Sequence, residues 1–269
     1  MRAITIAGTL IGLLIFAVAS EAYYRAHGVT NVTGVPDANP TPVLVELFTS
    51  EGCSSCPPAD ELLRKLDESQ PVPGVEVVAL SEHVDYWDDI GWKDPFSAHA
   101  NSQRQDQYAE HFRTGAVYTP QMIVDGEFEF VGSDARSAVQ AIGKAAIVPK
   151  IAVNLGSARA TQNGKVVLNV KTAPLPSSAG VSSANVLIAV ADDKDVSSVA
   201  RGENSGRTLT HVAVLRELHT VGAVDKTNGF WSDVEMDLPS ATKKSRIIVI
   251  VQEGQSGKIV GVASTQYPN

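Results

Sequence analysis

Apolar positions along the chain fall into short runs, each closed by turn residues. Val43-Leu44-Val45-Glu46-Leu47-Phe48 is almost continuously apolar and short, the pattern of a buried strand. Thr49-Ser50-Glu51-Gly52 turns the chain, and a helical pattern opens at Cys53. Pro57 and Pro58 fall in its first turn, where a missing N–H costs little, and Leu62, Leu63 and Leu66 share one face. Gln70-Pro71 ends this helix, and Pro73-Gly74 leads into a second strand, Val75 to Leu80. An irregular aromatic stretch follows from Ser81 to Phe96, after which Ser97 is placed to cap a helix running to about Arg113. Gln121-Met122-Ile123-Val124 and Glu127 to Val131 flank Asp125-Gly126, a hairpin signal, and a last helix spans about Asp134 to Ile147. The predicted order is β-α-β-α-β-β-α.

Beyond Val148-Pro149 the texture changes to short strand-like runs with no helical periodicity. They lie at 151–155, 165–171, 185–191, 208–218, 230–238, 247–253 and 259–264, separated by turns such as Asn163-Gly164 and Ser256-Gly257. About seven such runs predict a β-sandwich for residues 149–269, after a first domain at 42–148.

The N-terminus reads as an address. Met1-Arg2 precedes an apolar run from Ala3 to Ala19, and Ala17-Val18-Ala19 offers a small-x-small cleavage pattern before Ser20. The run is short for a bilayer span of about 20 residues, so a cleaved signal peptide is favoured over a retained anchor at the inner membrane. Residues 20–41 then form a linker, and the folded part is expected in the periplasm or outside the cell. A composition of 43% hydrophobic and 19% charged residues fits a packed globular chain. The net charge of -8 and the lack of clustered Lys and Arg argue against nucleic acid as a partner.

Candidate chemistry centres on the two cysteines of the chain, Cys53 and Cys56. A bridge closing so short a loop removes little entropy from the unfolded chain, so the pair reads as chemical rather than architectural. An exported location permits a disulfide. A structural zinc site needs a second ligand pair, and no other cysteine exists. At the start of a helix, unsatisfied N–H groups and the helix dipole favour the Cys53 thiolate, making Cys53 the nucleophile and Cys56 the resolving thiol. Glu46, a charged residue within the first apolar run, is a candidate for moving the resolving proton, or else points outward at a strand edge. Thr119-Pro120, just before a strand and its hairpin, stands where a thioredoxin-like fold places a cis-proline facing the dithiol, though such a dipeptide also makes ordinary turns.

The run Val45 to Asp60 resembles the opening of a secreted family known as domain of unknown function 1223. Ser81 to Trp87, Tyr118-Thr119-Pro120-Gln121 and Arg201 to Arg207 match it further, together covering most of the chain from about Pro42. The resemblance implies an α/β thioredoxin-like N-terminal domain followed by a β-rich C-terminal part, and brings no assigned activity. Against ordinary thioredoxins an extra residue separates the strand carboxylate from the dithiol, and Gly52 replaces the usual aromatic before the first cysteine.

His83, Asp85 and Trp87 follow the second strand, at the sheet edge where ligands collect, and either border the dithiol or hold their own loop in shape. The polar run Arg201 to Arg207 is either a recognition loop or a bridge between domains through its arginines. The expected function is thiol–disulfide exchange with protein or peptide thiols, without a cofactor or a bound metal. A binding or assembly protein on a thioredoxin-like scaffold is the alternative. A copper-handling protein using Cys53, Cys56 and His83 is a third reading.

Overall fold

Strand β1 (Thr41–Thr49) alternates its side chains between two buried faces, which explains its nearly unbroken apolar sequence. Val43, Val45 and Leu47 face helix α1 (Pro57–Ser69) and helix α3 (Ala135–Ala146), whereas Leu44, Glu46 and Phe48 face the opposite side, part of it covered by helix α2 (His99–Phe112). Strand β2 (Val75–His83) pairs parallel to β1, and β3 (Gln121–Val124) pairs antiparallel on its other edge. Asp125 and Gly126, both at positive φ, turn β3 into β4 (Phe128–Val131). Helix α3 starts where Asp134 accepts hydrogen bonds from the N–H groups of Arg136 and Ser137. The cap expected of Ser97 is not made: its hydroxyl donates to Asp88 Oδ2 at 2.7 Å, and α2 begins at His99.

The structure is a computed structural model, and it describes residues 39–267 apart from 238–243 and 255. After α3 come β5 (Val153–Leu155), β6 (Arg159–Ala160), β7 (Val166–Thr172), β8 (Ser183–Ser198), β9 (Thr208–Asp225), β10 (Trp231–Met236), β11 (Ser245–Gln252) and β12 (Ile259–Tyr267). The texture change at 148–149 falls in the connection from α3 to β5.

These elements do not assemble into the expected α/β thioredoxin-like domain followed by a separate β-sandwich. The molecule is mostly β, and one mixed eight-stranded sheet runs through it in the order β12-β11-β8-β9-β2-β1-β3-β4. The seam is the parallel pairing of β2 with β9, at Ser81 and Val214. Strands β5, β7 and β10, with β6 on β7, form a smaller sheet whose Val166, Leu168 and Val234 pack against Val186, Ile188, Ile247 and Val249 of the large one. The large sheet is curled, so that Leu44 and Leu80 of β1 and β2 share an apolar cluster with Ile248, Ile250 and Ile259 of β11 and β12. The described residues from Pro40 onward pack as one unit. A β2 edge, left open in an isolated first domain, would expose unpaired N–H and C=O groups; here β9 covers it.

A buried polar network locks this arrangement from the α2 side. Arg104 Nε donates to Glu46 Oε1 at 2.8 Å, Arg104 Nη1 to Gln252 on β11 at 2.9 Å, and Tyr108 donates to Glu46 Oε2 at 2.7 Å. Glu82 lies 3.5 Å from the guanidinium, and burial pushes its carboxyl well above the usual range although Arg104 pulls it down. One arginine therefore joins α2, β1, β2 and β11. Removing one partner of such a buried group leaves charge uncompensated, which costs about 3–5 kcal/mol. Arg104→Ala is expected to lose stability of that order in denaturant unfolding; a loss below about 1 kcal/mol, the range of exposed pairs, would show that the network is not structural.

Candidate functional site

Cys53 and Cys56 form a disulfide, with Cα atoms 5.4 Å apart. Pro57 has no N–H to give the Cys53 carbonyl, so the helix cannot extend back to Cys53 as the apolar spacing suggested. The two cysteines instead close a separate turn, in which Cys56 N–H donates to Cys53 O at 3.2 Å. Cys56 is the N-cap of α1, and its carbonyl accepts from the N–H groups of Ala59 and Asp60. Cys53 Sγ lies 3.3 Å from the hydroxyl of Ser55. Neither cysteine is exposed, at 1% and 0%.

Trp87 is brought to this turn, and the Thr119–Pro120 pair lies next to it, beside α1. A Cβ added to Gly52 would stand 3.1 Å from Trp87 Cβ, so the position before Cys53 has little room for a side chain, and the neighbouring aromatic comes from another loop. Trp87 Nε1 donates to Thr119 Oγ1 at 2.8 Å. The Thr119–Pro120 bond is cis. A Cβ on Gly132 would meet Pro120 Cβ at 3.1 Å and Ala59 Cβ at 3.2 Å, which sets Pro120 beside the first turn of α1.

The other sequence candidates are placed elsewhere. Glu46 projects to the side of the sheet away from α1 and is held by Arg104 and Tyr108, so it is not directed at the cysteines. Asp85 accepts from the Ser102 hydroxyl, which holds its carboxyl below the usual range, and sits 3.0 Å from His99 at the start of α2. His83 is buried, its Nδ1 2.7 Å from Asp94 Oδ2. Burial opposes the charge of Asp94, but His83 and the N–H groups of Glu51 and Phe96 hold that carboxyl below its ordinary value. Asp94 thereby links His83 to Glu51, two residues before Cys53.

Four residues at the turn were not singled out by the sequence. Glu51 accepts from Trp92 Nε1 at 2.8 Å and from the Ser197 hydroxyl, and its Oε1 lies 3.2 Å from His211 Nε2. Asp60, one helical turn after Cys56, accepts from Thr49 at 2.9 Å through Oδ1, 3.7 Å from His211 Nδ1. Its Oδ2 is buried with no partner. His211 comes from β9 and packs edge-on against His83, with ring centroids 4.6 Å apart. Burial disfavours its charge, but Asp60 and Glu51 outweigh that and raise it to about 10. The fourth residue, Asn204, is buried and donates through Nδ2 to the carbonyls of Glu51 and Cys53, at 2.8 and 2.9 Å. The polar run 201–207 therefore does reach the first half of the chain. It does so through Asn204 and through Glu203, which accepts from Ser54 N–H at 3.1 Å, while Arg201 and Arg207 are exposed. The carboxylate one turn after the second cysteine was visible in the sequence, but His211 and Asn204 lie about 150 residues away and carried no spacing signal.

Among the described residues no group of three or more His, Cys, Asp and Glu side chains is arranged to hold a metal, so the copper-handling alternative finds no ligand set. Nor is any helix among them long and apolar enough to cross a membrane. The expected signal peptide or anchor at 1–19 lies outside the described residues.

Fold and site together define a class: a mostly β chain in which a hairpin of the second half is bonded to the turn that carries a Cys-x-x-Cys disulfide of the first. The chain belongs to the family described as protein of unknown function (DUF1223), which matches residues 44–252. It is similar to the crystal structure of protein AGR_C_4864 from Agrobacterium tumefaciens, with 27% identity and a TM-score of 0.60, over 82% of this chain and 92% of that one. HBP35 of Porphyromonas gingivalis is similar in fold alone, at 14% identity and a TM-score of 0.52, over 84% and 75% of the two chains. No curated protein matches the chain.

His211 makes a stability test with a defined sign. Its folded value, about 10, lies above the ordinary histidine value of 6.5, so its stabilisation is present below about 6.5 and is lost as pH rises through about 10. Unfolding free energy of the wild type is expected to fall across that window about one proton more steeply than that of His211→Asn. Equal slopes would show that His211 does not carry the charge.

Proposed function

We propose that this chain is an exported thiol–disulfide exchange protein acting on protein or peptide thiols. The observation that carries the reading is the Cys53–Cys56 disulfide at the mouth of α1, with Trp87 against the same turn, Thr119 bonded to Trp87, and Pro120 beside Ala59 in the first turn of α1. A disulfide closing so short a loop contributes little to stability, so its placement needs a chemical reason.

In the exchange a partner thiolate attacks Cys53 Sγ, the Cys53–Cys56 bond breaks, and Cys56 leaves as a thiolate that takes up a proton. A second partner thiolate then attacks the partner sulfur of the mixed disulfide. The partner disulfide forms, and Cys53 is released as a thiolate. Two electrons pass from partner to protein, and the same steps in reverse oxidise a partner. Ser55, 3.3 Å from Cys53 Sγ, can donate its hydroxyl to the Cys53 thiolate and so favour the charged form. Residues four apart on a helix lie on one face, which sets Asp60 beside Cys56. The unpartnered Asp60 Oδ2 has the chemistry to accept the Cys56 proton when the reduced pair attacks a partner, the task that Glu46 is not placed to perform.

The burial of both sulfurs favours a second reading, in which the disulfide is architecture in a binding or assembly protein. Cys56→Ser separates the two. Exchange chemistry is expected to leave Cys53 joined to partner proteins as mixed disulfides, resolved by mass spectrometry and absent from the Cys53→Ser/Cys56→Ser double variant. Equal yields from the two variants would support architecture.

A further inference from the structure

Both sulfurs are buried, the turn that carries them is bonded to the tip of the β8–β9 hairpin, and the way that tip is held identifies what it makes way for. It is a small self-contained turn: Val199 N–H donates to Arg207 O and Gly206 N–H to Val199 O at its neck, while Arg207 N–H and Ser205 N–H bond within it. Its contacts with the cysteine turn include three hydrogen bonds, two from Asn204 and one to Glu203. It also rests on the aromatic loop, where a Cβ on Gly202 would stand 3.0 Å from Trp92 Cβ.

The groups engaged on the cysteine turn are mostly backbone: the carbonyls of Glu51 and Cys53 and the N–H of Ser54, with the Ser54 side chain also bonded to Glu203. The tip meets them with a carboxamide N–H₂ and a carboxylate, a donor and an acceptor, which is what the N–H and C=O of an extended chain also offer. A polypeptide partner would thus replace the contacts it displaces, whereas a thiol without amides would leave the Glu51 carbonyl unpaired at a cost and the Cys53 carbonyl with only its bond from Cys56 N–H. Asn204 Oδ1 is itself buried with no partner.

Building on the exchange chemistry above, we infer that the hairpin tip is a lid over the dithiol, that Asn204 and Glu203 hold it shut, and that the partner which opens it is an extended, cysteine-bearing polypeptide segment rather than a small thiol. Asn204 and Glu203 are positioning residues: they touch the backbone of the turn and act on the sulfurs through access.

The test compares the rates at which the oxidised full chain is reduced by dithiothreitol, which has no amide, and by an unfolded cysteine-containing polypeptide. Asn204→Ala removes two of the three bonds, and dithiothreitol is expected to react about tenfold faster with it than with the wild type, the order set by two lost hydrogen bonds. The polypeptide rate is expected to change far less, so that its advantage over dithiothreitol shrinks. Glu203→Ala, at an exposed residue, is expected to act in the same direction by a smaller factor, and it carries the test should Asn204→Ala not fold. Unchanged dithiothreitol rates in the folded variants would overturn the lid, and equal acceleration of both reductants would overturn the selection. Failure of the exchange reading would show separately, as a Cys56→Ser variant that captures no partner while the dithiothreitol rates still report on the lid.

Discussion

Residues 50–56 form a turn that its own covalent bond cannot hold in place, because a disulfide between residues three apart constrains only that turn. Asp94 and Trp92 of the aromatic loop hold Glu51, and the remaining polar contacts come from the β8–β9 hairpin. Asn204 takes the two backbone carbonyls, Glu203 the exposed N–H, and Ser197 and His211 take the carboxylate of Glu51. Because buried carbonyls and carboxylates are costly to leave unpaired, closure by the hairpin and the conformation of the cysteine turn depend on each other. The chemistry of the first half of the chain is thereby tied to the folding of the second.

The sheet makes that dependence mechanical. β9 adds to the edge of β2, and its residues next to the seam include His211, Val212 and Ala213, which enter the layer between the sheet and α1. The imidazole reaches Glu51 and Asp60, while the tip of the same hairpin bonds to the backbone of the cysteine turn. Arg104 performs the corresponding service on the opposite face of β1, where it neutralises Glu46 and reaches Gln252. Two buried basic side chains thus sit on opposite sides of the sheet, His211 beside Glu51 and Asp60 and Arg104 beside Glu46.

The local elements were legible because each rests on short-range physics. The apolar run at 43–48, the Asp-Gly turn and the helix capped by Asp134 all fall where their patterns indicate, as do most strands of the second half. The two-residue β6 carried too little pattern to be noticed. The assembly was not legible, since the sheet joins the two halves at one register pair between two buried strands, and apolar strands advertise burial without naming their neighbours. At the site, the cysteines, Trp87, Thr119 and Pro120 were found because motif and element order point to them. Glu46 was misdirected because a continuous apolar run hides which face each residue takes. Asn204, His211 and the partnership of Glu51 with them depend on contacts across about 150 residues, which no local pattern encodes.

The account stands on Cys53 and Cys56 being a reversible couple, and their reduction potential tests this most directly. Equilibrating the full chain in glutathione buffers and counting free thiols by mass is expected to give one reversible two-electron transition between about −270 and −120 mV, the range of exchange proteins. A pair that stays oxidised until below about −300 mV, the range of structural disulfides, would contradict it.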